Sequence, residues 1–177
     1  NDNPGVVVSI YYIENRLPEL NLVGAAYTPF WDAFNTIINS STKLLAVLEG
    51  MSDNLFTDGR KTTMMGEIRF LRGWYMFDLL RMFGPLPTQL DSKAIPYKET
   101  ISVSAPGMLT GNEVIEKVLT DLAEAESILK NWDPAVSEGM LMAVNDDDHD
   151  NDGNTYRFRG LRLNYYAVVA LKARVYL

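Results

Sequence analysis

Apolar residues recur at helical spacing in four stretches of the chain. In the first, Trp31, Phe34, Ile37, Ile38, Leu44, Leu45 and Leu48 fall on one broad stripe, with the small Ser41 among them. This predicts a helix over about 29–49, with Thr28 as N-cap, Pro29 in the first turn and Gly50 at its C-terminal end. The residues just before Pro29 read as a loop. The second stretch, about 63–83, carries two stripes side by side. Phe70, Trp74 and Phe77 form one; Ile68, Leu71, Tyr75, Leu79 and Met82 form the other. Two stripes predict two packing partners and place all three residues of the first stripe in the core. Arg69, Arg72, Asp78 and Arg81 take the remaining surface, where Asp78 and Arg81 can pair at i, i+3. Gly73 permits close approach of a neighbouring helix, and Gly84-Pro85 stops the segment.

A capping box, Thr110 with Glu113, opens the third helix, about 111–131. Its stripe is Ile115, Val118, Leu119, Leu122, Ala125 and Leu129, and Pro134 ends it. Glu113 with Lys117, and Glu126 with Lys130, are spaced for i, i+4 ion pairs. The fourth helix, about 161–177, places Ala167, Ala170 and Ala173 three apart, a spacing that suits close packing. Residues 6–13 have high β-propensity but fit a strand or a helix start equally. Asp58-Gly59 marks a turn, residues 85–109 an irregular crossing with four prolines, and 133–158 a long polar loop. The expected fold class is therefore all-α in the main: tetratricopeptide-like helical hairpins with long irregular loops, forming a single domain over 1–177. Helix starts near 29, 63, 111 and 161 give no fixed period, so any repeat is degenerate. Leu177 closes an apolar helix with no cap or polar tail, so a continuation is expected.

Charge changes the picture in one place. The net charge is −7, and Asp146, Asp147, Asp148, Asp150 and Asp152 supply five negatives within seven residues. The remaining surface is nearly neutral and has no basic cluster, which argues against nucleic acid and anionic lipid as partners. No apolar run approaches the ~18–20 residues of a membrane span. With no cysteine, the chain has neither disulfides nor a thiol nucleophile.

The same acidic run offers candidate chemistry. Asp148-x-Asp150-x-Asp152-Gly153, with Asn154 next in the alternation, matches the first half of a calcium loop. Spaced oxygens wrap a hard cation, so Asp148, Asp150, Asp152 and Asn154 are the candidate Ca2+ ligands. Arg159 stands where such a loop needs its bidentate glutamate, and a solvated acidic loop is the competing reading. His149, the single histidine, sits in this run; it is the only candidate for a serine–histidine–aspartate triad, and its setting argues against one.

Three blocks resemble the SusD/RagB family of outer-membrane nutrient-binding lipoproteins. Trp31-Asp-Ala-Phe-Asn-Thr-Ile-Ile-Asn-Ser is similar to the family's first repeat helix. Glu67 to Pro87 resembles its E-x-R-F-L-R-A-like helix, which ends in aromatic-Gly-x-(Leu/Val)-Pro. Arg162 to Leu177 resembles the helix that follows a Gly-Arg-Leu lead-in. Gly73 departs from the family, which commonly has alanine there.

The resemblance spans about residues 28–177 and implies the N-terminal, helical-repeat part of a longer protein. It further implies lipid anchoring of the full-length protein on the outer, cell-surface face of the outer membrane. A SusC-like TonB-dependent transporter barrel would be the partner, and a poly- or oligosaccharide the ligand, with no bond made or broken. Sugars stack their C–H faces on aromatic rings while amides and carboxylates bond their hydroxyls. Tyr27, Trp31, Asp32 and Asn35, where the loop enters the first helix, are the candidate glycan contacts; for Trp31, burial in the core is the competing reading. A tetratricopeptide-like scaffold that binds protein segments is the alternative function, and a glycoside hydrolase a weaker one.

Overall fold

The computed structural model describes residues 21–56, 59–101, 106–137, 139 and 159–177. The chain forms two compact units, Asn1–Thr36 and Ile37–Leu177. Helix α1 (Asn21–Gly50) contributes to both. It starts seven residues before the expected Thr28 cap, and Pro29 lies inside it. Proline's fixed φ is helical, so the ring removes one hydrogen bond without marking a start. Ala25 and Ala26 just upstream are strong helix formers, which favours the extension.

The larger unit centres on α2 (Arg60–Phe83) and α3 (Gly111–Trp132), which pack antiparallel. Gly59, with φ 69°, caps α2 at its N-terminus, and the Gly84 N–H closes the other end on the Leu80 carbonyl at 2.7 Å. Three glycines seven residues apart set the approach of α3. A Cβ on Gly59 would lie 2.2 Å from the Trp132 ring; one on Gly66 would lie 2.9 Å from Ile128 and 3.0 Å from Leu129. On Gly73 it would meet Leu122 at 3.2 Å. The close approach expected at Gly73 is thus one of three.

The Thr110–Glu113 capping box forms at the head of α3, and the helix ends at Asp133, just before Pro134. Val114, Val118, Leu122, Ala125 and Leu129 are fully buried, each valine or leucine contributing about 1.5–3 kcal/mol. Val114 displaces Ile115 from the expected stripe, because Ile115 and Leu119 are only half-buried. The expected pairs along α3 also exchange partners. Glu113 turns back onto Thr110, Lys117 bonds Glu99 at 2.8 Å, and Glu126 pairs with Lys172.

The crossing between α2 and α3 is more ordered than its prolines suggest. After a 3-10 turn at Pro87–Gln89, β1 (Lys93–Pro96) pairs antiparallel with β2 (Met108–Thr110) in a short ribbon with an irregular register. Pro96 terminates β1, a position where a missing N–H is tolerated. After the short α4 (Pro134–Ser137) and a 3-10 turn at Arg159–Leu161 comes α5 (Tyr165–Tyr176), which packs on α3 and touches α2. It begins four residues later than the spacing suggests, because the Asn164 side chain caps it by accepting from the Ala167 N–H at 3.0 Å.

Candidate functional site

Two arginines expected to be solvated or unassigned are buried, and each organises a network. Arg72 lies within the α2–α3 interface at 7% exposure. Its guanidinium grips Asp121 with two bonds, Nε to Oδ2 at 2.7 Å and Nη2 to Oδ1 at 2.5 Å. The Tyr97 hydroxyl, delivered by the residue after β1, donates to the same carboxylate. Arg72 Nη1 also reaches Thr42 at 3.4 Å, and the Thr42 hydroxyl donates to the Lys98 carbonyl at 2.9 Å. Burial alone would lower the Arg72 pKa; the bonds and charge of Asp121 outweigh it and hold it above its ordinary value. Burial, then the charge and hydrogen bond of Asp121, push the Tyr97 phenol well above its usual range.

The second network joins α2, α3 and α5. Arg159 grips Asp133 at 2.9 Å through both Nε and Nη2, pairs with Glu67, and donates to the Leu163 carbonyl at 2.9 Å. Asp133, 2% exposed, accepts in addition from the Tyr165 and Ala135 N–H groups at 2.9 and 3.0 Å. Burial opposes the Arg159 charge, but Asp133 and Glu67 together keep its pKa raised. Asp121 and Asp133, the buried carboxylates among the described residues, are therefore fully engaged as ion-pair acceptors.

Between α2 and α5 lies an open cleft of about 700 Å³. Phe70 and Trp74 face it from α2, and Ala167, Ala170 and Leu171 from α5; Glu67, Arg162 and Arg174 supply its charged atoms. The small alanines leave the space unfilled. Phe70 and Phe77 are core as expected, but Trp74 is 36% exposed. Its indole stacks on Phe70 with centroids 5.9 Å apart, and its N–H donates to Asp78 Oδ2 at 2.8 Å. Asp78 also bonds Arg81 at 3.2 Å, the expected i, i+3 pair, and Arg174 lies 3.7 Å from the same carboxylate. The Ala167–Ala170–Ala173 spacing therefore borders a gap instead of a packed seam: Ala167 is half-buried, and Ala170 and Ala173 are exposed. The stripe places Trp74 in the core by association with Phe70 and Phe77, which are genuinely buried; its own exposure departs from that expectation.

The residues singled out as glycan contacts lie elsewhere, within the first unit. Tyr27, Trp31 and Asn35 recur four apart on one face of α1 and are half-buried, while Asp32 beside them is exposed. They sit inside the helix, not where a loop enters it, because α1 extends back past Pro29. The Asn35 amide donates to the Trp31 carbonyl at 2.8 Å, so part of its bonding capacity is used locally. Trp31 is neither fully core nor fully open, midway between its two readings. The proposed calcium ligands Asp148, Asp150, Asp152 and Asn154, together with His149, lie outside the described residues. Among the described residues, no three acidic or histidine side chains cluster to hold a metal, and no helix is long and apolar enough to cross a membrane.

Solved structures share this helical fold. A SusD superfamily protein from Bacteroides thetaiotaomicron matches 82% of the chain with a TM-score of 0.59 and 23% identity. A Bacteroides vulgatus protein described as "Putative sugar binding protein" matches 83% with the same TM-score and identity. The chain spans only 27% and 28% of those two proteins' lengths. Among curated proteins, none matches. The decisive similarity is in the sequence itself. The profile of the SusD-like family described as "Starch-binding associating with outer membrane" matches residues 6–138. That span contains Glu67, Arg72, Asp121 and Asp133, the residues that hold α2 against its neighbours, and on this match the chain belongs to the SusD-like family.

Proposed function

We propose that this chain is the helical-repeat part of a non-catalytic surface protein that captures glycans and hands them to a SusC-like, TonB-dependent transporter of the outer membrane. The family match over residues 6–138 carries this reading. Its description names starch binding and outer-membrane association, and the Bacteroides vulgatus relative is described in sugar-binding terms. Lipid anchoring on the cell-surface face, a larger C-terminal part and the transporter partner belong to the same proposal.

The committed state of the buried carboxylates supports a binding role over hydrolysis. Glycoside hydrolysis uses two carboxyl groups flanking the bond, one of them protonated. Asp121 and Asp133 instead accept bidentate bonds from Arg72 and Arg159, which occupy both oxygens of each carboxyl group. In this proposal Tyr27, Trp31, Asp32 and Asn35 contact sugar along one side of α1. The acidic residues Asp148 to Asn154 are the proposed calcium loop.

Affinity gel electrophoresis against soluble polysaccharides, with and without calcium, tests the reading. Retardation by a glycan without release of reducing ends is expected. Tyr27→Ala should reduce that retardation at unchanged helicity. A chain retarded by none of the panel, yet able to bind protein segments, would replace glycan capture with the scaffold function.

A further inference from the structure

We propose that the cleft between α2 and α5 is a second carbohydrate subsite, suited to glycans that carry uronic acid carboxylates. The proposal rests on the glycan-capture reading above and adds a location and a ligand class to it. Trp74 supplies the platform. Stacked on Phe70 and tethered through its indole N–H to Asp78, the ring is held in one orientation while part of its surface stays open to the cleft. A pyranose ring therefore meets an aromatic surface that needs no reordering on binding.

Charge supplies the selectivity. Arg162 and Arg174 line the cleft, and both are exposed. Its one acidic lining residue, Glu67, is already paired with Arg159. The Asp78 carboxylate near Arg174 is shared with Arg81 and the Trp74 indole. The lining carries two guanidinium groups against one carboxylate, on a surface that is nearly neutral outside the acidic run. Guanidinium groups present paired donors that match a carboxylate, an acceptor that a neutral sugar does not offer. Ala167 and Ala170 keep the opposite wall low enough for a sugar to enter.

Titration calorimetry of the chain with polygalacturonate, and with amylose and dextran as neutral probes, tests this. Polygalacturonate should bind, and more weakly as salt is raised. Trp74→Ala should weaken it about thirtyfold, the scale of a central tryptophan contact. Arg174→Gln should weaken it about tenfold, with no effect on neutral probes. Ala170→Trp occupies the cleft from an exposed position on the opposite wall, leaving Trp74 itself unsubstituted, and should weaken binding at least as much. Binding that survives both Trp74→Ala and Ala170→Trp overturns the cleft as a subsite while leaving glycan capture standing. Neutral probes that bind as tightly, with Arg174→Gln silent, overturn the uronate preference. A folded chain that binds no probe overturns both the subsite and the capture function.

Discussion

Toward α3, helix α2 presents glycines; toward α5, it presents aromatic rings. The first face is closed. Gly66 and Gly73 leave so little room that Ile128, Leu129 and Leu122 lie within about 3 Å of where a Cβ would stand. The second face stays open, because Trp74 looks across at alanines too small to reach it. Small residues thus have opposite consequences on the two sides. A glycine facing large side chains makes a tight seam, and an alanine facing a partly exposed ring makes a cleft. What matters is the residue opposite, which one-dimensional spacing does not report.

The largest expected effect comes from breaking the closed face at its charged centre. Asp121→Ala leaves Arg72 buried without its acceptor and should cost about 3–5 kcal/mol, read as a loss in urea midpoint at constant slope. An undiminished midpoint would mean that the pair is dispensable. The same centre predicts a pH dependence. The Tyr97 phenol has a raised folded-state pKa, so its stabilising contribution is complete below the ordinary tyrosine value near about 10 and is lost as pH rises beyond it. Phenolate absorbance of one tyrosine should therefore appear only together with alkaline unfolding, and Tyr97→Phe should flatten that alkaline loss.

Overpacking the glycine seam is next. Gly66→Leu should cost about 1–3 kcal/mol by thermal unfolding. Gly73→Ala meets Leu122 at 3.2 Å but gains up to about 1 kcal/mol of helix propensity, so the two should nearly cancel. If Gly66→Leu were equally silent, the two faces of α2 would not differ as described. On the open face a whole ring can be removed at small cost: Trp74→Ala should cost no more than about 1 kcal/mol, since the ring is partly solvated and its main loss is stacking on Phe70. A loss as large as that of Asp121→Ala would show that the cleft is structural.

Much of the helical layout was legible because it depends on local patterns. The Thr110–Glu113 box, the stop at Gly84-Pro85 and the Asp78–Arg81 pair are written within a few residues of chain. Arg72 and Arg159 were not legible, because their partners lie 49 and 26 residues away, and a charged residue in a helix reads as solvated until its acceptor is known. Pro29 misled through a correct local preference that tolerates a second outcome, a helix running through it. The glycine spacing 59–66–73 is present in the sequence, but Gly59 reads locally as a turn residue and only Gly73 as a point of close approach. The Trp74 cleft required knowing that α5 faces α2 with alanines. For Tyr27, Trp31, Asp32 and Asn35, the residue types were readable and their placement within α1 was not.

The grip of Arg159 on Asp133 has a consequence for how such a chain can diversify. It fastens the last residues before position 138 to the first residues after position 158, and Asp133 holds the start of α5 with the same carboxylate. Whatever is spelled between those positions begins and ends at one anchored point. Doubling the length of a flexible insert there would add only about 0.6 kcal/mol of closure entropy. The clamp thus fixes the points at which the chain leaves α3 and enters α5, so the register of those helices does not depend on what is spelled between them.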